Sequence, residues 1–381
     1  MRYETAGESH GRALVALVTG VPAGLAIDLA AIDDDLARRQ RGYGRGGRQG
    51  IERDTALVLA GIRAGRALGS PVALQIANRD WENWTDVMSP ETSAARAEVT
   101  AVRPGHADLP GCLKTGATDA RDILERASAR ETAARVAAGG VAKALLRAVG
   151  VGVRSLVTRI GDAAMPEPVD LAAVDFDAVE ASDVRCPDAS VAARMREAID
   201  AARAAGESLG GVFVTQADGL VPGLGGYATS SERLDGRLAG AVMSIPAIKG
   251  VELGDGFALA ARPGSAAHDE ILYEEGRGFV RPTNRAGGLE GGMTNGERLV
   301  VRAAMKPIPT LMKPLRSVDI RTREAVDASR ERSDVCAVPA AAVVAEAEVA
   351  LVLADAYCAK FGCDCIDDLL ASLSRYRERI R

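Results

Sequence analysis

Extended apolar runs in this chain come in pairs joined by glycine- or proline-containing links, and helical stretches fall between the pairs in no fixed order. A doubly wound parallel sheet needs a regular strand-helix-strand rhythm, because every parallel strand must be followed by a crossover. That rhythm is missing, so the pattern predicts an antiparallel-rich α+β architecture with helices packed between or on sheets. Residues 13–18 read as a strand, Gly20 to Gly24 supply turn chemistry, and residues 25–29 read as the returning partner. Residues 55–62 and 71–76 make a second pair that leads to Trp81 and Trp84. Further extended runs are expected at 151–160, 211–216 and 298–305.

The helical signals are compositional. Asp33, Asp34 and Asp35 followed by Arg38, Arg39 and Arg41 give the charge order that the helix dipole favours, and Gly42 ends the segment. Residues 119–149 read as one long helix, or as two joined near Gly139-Gly140, and other helices are expected at 190–205, 231–243, 339–360 and 366–380. A length of 381 residues would allow two or three domains. No stretch reads as a flexible linker and no fixed-period repeat emerges, so a single unit spanning 1–381 is expected.

Composition excludes several classes. With 47% hydrophobic and 26% charged residues the chain is neither disordered nor fibrous, and a formal charge of −5 gives no overall electrostatic footprint for nucleic acid or for an anionic membrane. The charge-free stretch 13–27 is broken by Gly20, Pro22 and Gly24 and falls short of the roughly 20 apolar residues of a membrane span. Residues 1–5 lack the apolar region of a secretory signal, so a cytoplasmic location is expected. The six cysteines do not suggest a disulfide framework in a chain of this length. Cys363 and Cys365 are the only close pair, and with three His in the chain no second pair completes a zinc site.

Candidate chemistry gathers in a few segments. His10 lies in Gly7-Glu-Ser-His-Gly11 and His106 in Arg103-Pro-Gly-His-Ala-Asp108, both loop-like, where proton-transfer residues tend to sit and where a capping role is the plain alternative; His268 has the weakest case. The segment 38–48, RRQRGYGRGGR, holds five Arg and no acid. It suits a small anion, a solvated basic surface, or an RNA contact, although Tyr43 alone is little aromatic surface for RNA. In the segment 125–131, ERASARE, small Ser128 and Ala129 between Arg126 and Arg130 would admit a flat ligand; as a bare helix it is equally a salt-bridged face. Residues 284–296 are too glycine-rich for a helix or central strand and lack the dinucleotide fingerprint. Lys306-Pro-Ile-Pro-Thr310 follows an expected strand, and Arg332-Ser-Asp-Val-Cys336 precedes an expected helix.

Together these segments, in order and spacing, closely resemble the signature regions of the chorismate synthase family, over about residues 5–361. The resemblance implies a β-α-β sandwich, a homotetramer, and a 1,4-anti elimination of phosphate and a ring hydrogen from 5-enolpyruvylshikimate 3-phosphate. It also implies reduced FMN as cofactor with no net redox change, supplied by an external flavin reductase, with NADPH at most an indirect reductant. By position, His10 resembles the residue that protonates the departing phosphate, Ser9 one that relays to or orients it, His106 the residue beside the reduced flavin, and Asp334 the carboxylate near flavin N5. Arg39 and Arg45 match positions linked to a nicotinamide phosphate but are read as substrate-binding, joined by Arg48, Arg103, Arg130 and Arg332, since the substrate carries about four negative charges. The positions matching FMN contacts are Ser128, Ala129, Arg130, Pro246, Ala247, Gly291, Lys306, Pro307, Ile308, Pro309, Thr310 and Arg332. Pro246 stands where many bacterial members have an amide, and Pro309 replaces a small hydroxyl residue, so each removes a side-chain hydrogen bond. Two other readings make different predictions: a flavin-dependent oxidoreductase would consume NAD(P)H, and an RNA-binding protein using residues 38–48 would ignore FMN.

Overall fold

The structure is a computed structural model and describes residues 1–46, 53–91, 98–330 and 333–380. Two antiparallel sheets enclose a layer of helices. Strand β1 (Arg2–Ala6), β2 (Ala13–Thr19), β3 (Leu57–Ala60) and β4 (Val72–Ala77) form the first sheet in the order β1-β2-β4-β3. Strands β5 (Gly152–Ile160), β6 (Ala163–Ala164), β7 (Gly211–Asp218), β8 (Ile248–Leu253) and β9 (Leu299–Met305) form the second, in the order β8-β9-β7-β5-β6. The helices are α1 (Leu29–Gln40), α2 (Asp108–Thr115), α3 (Arg121–Ala127), α4 (Thr132–Ala148), α5 (Phe176–Ala181), α6 (Ala189–Ala205), α7 (Leu234–Met243), α8 (Gly264–Ala267), α9 (Val338–Phe361) and α10 (Ile366–Arg379).

Alternation puts one face of the first sheet inward: Leu14, Ala16 and Val18 pair with Ile76, Leu74 and Val72, and all six side chains are fully buried. That face rests on α4, while α9 lies against β5 and β7 of the second sheet. Ala- and Val-rich α9 is buried along nearly its whole length, as a helix apolar on all sides must be. It crosses α4 so closely that a Cβ on Gly139 would sit 2.2 Å from the Cβ of Ala347, so the crossing requires glycine there.

Several expectations need correction. Residues 25–29 do not return as a strand; β2 pairs instead with β1, which the sequence reading had not assigned, and with β4. The first helix starts at Leu29, with the Asp28 carboxylate accepting from the amides of Ala30 and Ala31. Asp33 to Asp35 therefore lie beyond its first turn, while Arg38 and Arg39 do occupy the last. The helical stretch 119–149 breaks at Ser128 and not at the glycine pair, because Ser128 is extended and its hydroxyl caps the amide of Arg130. Helix 231–243 begins later, at Leu234. Four cysteines are buried, two half-buried, and none is paired. Among the described residues no helix is long and apolar enough to cross a membrane, and no group of His, Cys, Asp and Glu could hold a metal ion.

The helical layer carries a buried charge network. Glu346 of α9, fully buried, accepts from both Arg38 Nη atoms and from Lys143 Nζ at 2.8 Å, and from Ser155 Oγ at 2.7 Å. Glu180 receives Arg38 and Arg185. Burial alone would raise the pKa of Glu180, but its hydrogen bonds from Arg38 and Arg185 outweigh that and bring it to about 2; the same balance, with Lys143 and Arg38 as the cations, holds Glu346 well below the carboxylate range. A carboxylate depressed in the folded state adds stability above its unfolded value near 4.3 and loses it as pH falls through the folded one. The thermal midpoint should therefore drop steeply between about pH 4 and pH 2. A midpoint unchanged over that interval, followed by circular dichroism, would show that the network contributes nothing.

Candidate active site

The break at Ser128 organises the first part of the site. From the end of α3, the Glu125 carbonyl accepts the Ser9 amide at 2.9 Å, and Arg126 donates to the carbonyls of Thr5 and Gly7. Gly7 has φ +107°, and a Cβ there would lie 2.3 Å from the carbonyl oxygen of Ala13, so only glycine lets the chain turn back toward α3 at this point. His10 follows that turn. Both carboxylate oxygens of Glu125 lie 2.9–3.0 Å from its Nδ1, and one also accepts the His10 amide. Trp84 stacks on the imidazole with ring centroids 3.9 Å apart. Ser9 is buried, and Ser128 Oγ donates to its hydroxyl at 3.2 Å.

Beyond the break, Arg130 turns inward. Its Nη1 donates to both oxygens of Asp54 at 2.7 Å and its Nε to Asn78 Oδ1. Arg39 reaches the same place from α1, donating to Thr132 Oγ1 and to the Ala129 carbonyl at 2.9 Å, with Asp54 at 3.5 Å. Arg126 and Arg130 thus face different partners and do not share a helix face. Arg45 pairs with Asp334 at 3.3 Å, and Asp334 also accepts the Gly46 amide at 2.6 Å. The side chain of Arg45 is 9% exposed, yet its Nε has no hydrogen-bond partner among the described residues. Burial, and then repulsion from Arg130 and Arg45 set against the attraction of Asp54, pushes the Arg39 guanidinium down to about 9. It stays charged near neutrality.

A second group forms around His106. Asp108, fully buried, accepts from the Arg103 amide, from Arg103 Nε at 2.8 Å, and from His106 Nδ1 at 2.5 Å. Arg103 Nη2 also lies 3.0 Å from that Nδ1; since it donates to Asp108 Oδ1, we assign the Nδ1 proton to the shorter Asp108 contact. Burial would raise the Asp108 pKa, but hydrogen bonds from His106 and Arg103 hold it well below the usual range. Arg103 Nη1 donates to Thr310 Oγ1 and Lys306 Nζ to the Gly105 carbonyl, which fastens 306–310 onto the His106 loop, while Ser208 Oγ, ahead of β7, donates to the Ile308 carbonyl. The Lys306 amide donates to the carbonyl of Ala247, whose φ of +69° is uncommon for a residue with a Cβ. The two histidine groups are braced together, because Leu124, next to Glu125, and Val102, next to Arg103, pack in one small apolar cluster with Val99, Cys112 and Ala120.

Of the sequence-predicted residues, Ser9, His10, Ser128, Ala129, Arg130 and Arg39 meet around Ser128, Arg45 and Asp334 pair beside them, and Arg103, His106, Lys306, Ile308, Thr310 and Ala247 join the second group. A Cβ built on Gly105 would lie 3.6 Å from Pro309. Gly291 has no contact with either group among the described residues; its neighbour Gly292 instead accepts the Leu234 amide. Among the described residues no polar contact ties Pro246 or Pro307 to either group, and neither has an amide proton to give. Arg48 and Arg332 lie outside the described residues. The sequence reading missed Asp54, Asn78 and Asp108, and gave Glu125 and Trp84 no role; the spacing His106-Ala-Asp108 was a usable signal for one of them.

Asp54→Asn should lower stability by about 3–5 kcal/mol, because it leaves the buried guanidinium of Arg130, and that of Arg39 beside it, without their carboxylate. Denaturant midpoints within error of wild type would mean the Asp54 pair is not holding the cluster together.

A family model described as "Chorismate synthase" matches residues 1–358. The chorismate synthase of Symbiobacterium thermophilum is 57% identical over 391 aligned residues, covering 100% of this chain and 99% of the relative. That of Moorella thermoacetica is 58% identical over 383, with 100% and 99% covered. A crystal structure of chorismate synthase superposes with a TM-score of 0.81 at 41% identity, covering 100% of this chain and 98% of that one.

Proposed function

The chain belongs to the chorismate synthase family of phosphate-eliminating lyases, which serve aromatic amino-acid biosynthesis, and on that premise we propose that it converts 5-enolpyruvylshikimate 3-phosphate to chorismate with reduced FMN and no net redox change. The observation that carries this reading is the set of cations beside the two histidine loops: Arg39, Arg103 and Arg130 are buried, half-buried Lys306 holds the His106 loop, and the buried Nε of Arg45 has no acceptor among the described residues. A buried donor without a partner costs about 1–3 kcal/mol, which an incoming phosphate or carboxylate oxygen would offset.

In this reading His10 protonates the departing phosphate, Ser9 helps to orient it, and the arginines hold the substrate's anionic groups, with Arg48 and Arg332 completing the set. Reduced FMN, when bound, supplies electron density as phosphate leaves and an N5 region that takes the ring proton. Ser128, Ala129, Arg130, Pro246, Ala247, Gly291, Lys306 to Thr310 and Arg332 would hold it, His106 would keep a proton beside the reduced ring, and Asp334 would lie near N5. The donor set fits such a group: Lys306 and Arg103 supply cations, and the left-handed backbone of Ala247 is an uncommon conformation of the kind that gathers at functional sites. We propose further that the protein acts as one domain over residues 1–381, as a cytoplasmic homotetramer that receives reduced flavin from a separate reductase, NADPH serving only through that enzyme. Arg38, Arg39 and Arg45 pair with Glu346, Asp54 and Asp334, so these three of the five arginines in 38–48 face partners within the protein.

Turnover under anaerobic conditions tests the assignment. His106→Ala should keep its fold and slow chorismate formation by about two to four orders of magnitude, and Asp334→Asn should slow it as well. Rates within a few-fold of wild type for both would remove these residues from the reaction.

A further inference from the structure

His10 is held on two sides, and both holders lie outside the roles proposed so far. Glu125 places its two carboxylate oxygens 3.0 and 2.9 Å from the His10 Nδ1 and takes the His10 amide at 2.9 Å. Its side chain is 1% exposed and is itself fixed by Arg121 Nη1 at 3.0 Å. Arg121 also lies over the ring of Trp84, 5.3 Å from its centroid, and Trp84 stacks on the imidazole with an interplanar angle of 26° while its indole N–H donates to Asp80. A carboxylate can only accept, so an imidazole nitrogen that close to one must carry the proton.

We propose that Glu125 is the positioning residue of the phosphate-leaving step: it fixes His10 with a proton on Nδ1, so that the proton delivered to the departing oxygen is the one on Nε2, while Trp84 sets the plane of the ring. This rests on the reading of His10 as the proton donor. In the step, the ring carbon–oxygen bond breaks with its electron pair on oxygen and the proton passes from Nε2 to that oxygen. His10 is left neutral with Nδ1–H still bonded to Glu125, and water returns the Nε2 proton. The carboxylate is in the right state for this: burial would raise its pKa, but hydrogen bonds from His10, and then the charge of Arg121, bring it below the usual range. The arrangement has the logic of a Ser-His-Asp triad, in which the acid orients the imidazole without taking its proton.

The test compares Glu125→Gln, Glu125→Asp and His10→Gln in the full-length protein with reduced FMN and 5-enolpyruvylshikimate 3-phosphate. With three His in the chain, the Nδ1 proton of His10 is assignable by NMR as the downfield signal absent from His10→Gln. Glu125→Gln should lose that signal and lower kcat by about two to four orders of magnitude with KM within about threefold, and Glu125→Asp should recover part of both. The proposal is overturned if Glu125→Gln keeps kcat within a few-fold while His10→Gln does not, or if the Nδ1 signal survives in it. If His10→Gln itself keeps full activity, the reading of His10 fails, whatever Glu125 does. Should Glu125→Gln not fold, Glu125→Asp alone decides: wild-type kcat with an unchanged signal overturns the positioning role, and a partial loss of both supports it.

Discussion

The capped turn at Ser128, between α3 and α4, is the constraint on which the site depends. Had residues 119–149 continued as a single helix, Glu125 and Arg130 would project from one rod at helical spacing. The extended backbone of Ser128 redirects the chain, so that Glu125 meets His10 on one side while Arg130 enters the buried pocket of Asp54 on the other. From there α4 runs straight into the helical layer and meets α9 at Gly139, which fixes where the turn stands relative to both sheets.

Electrostatics shape what the site can receive. Buried cations usually come matched with carboxylates, and Glu346 with its three cationic neighbours shows the protein doing so in its interior. Around Arg39 the charges compete: Arg130 and Arg45 work against its charge, while Asp54 and Asp334 support it. Cations gathered in this way attract anions.

Much of the fold class was legible in the sequence, because alternation in residues 13–18 and 71–76 and the missing parallel rhythm already imply antiparallel sheets with helices between them. The histidine loops and the arginine segment were equally visible as unusual compositions. Their partners were not. Asp54 and Asn78 stand far from any motif and gain meaning only when Arg130 folds onto them across 76 and 52 residues of chain. The break at Ser128 was hidden because a serine in an Ala-, Leu- and Arg-rich run weakens a helix far less obviously than two glycines, and the glycines turned out to serve helix packing. Strand β1 went unread because its residues, Arg-Tyr-Glu-Thr-Ala, alternate between exposed and half-buried without forming an apolar run.

The reaction proposed for this chain is a phosphate elimination in which the flavin ends as it began. Its most direct test follows the flavin absorbance and phosphate release together, under anaerobic conditions, with the substrate in excess over chemically reduced FMN. Many equivalents of chorismate and phosphate per flavin are expected, with the reduced spectrum present at the start and the end. Oxidation of the flavin in step with product would contradict it and indicate a net redox reaction instead.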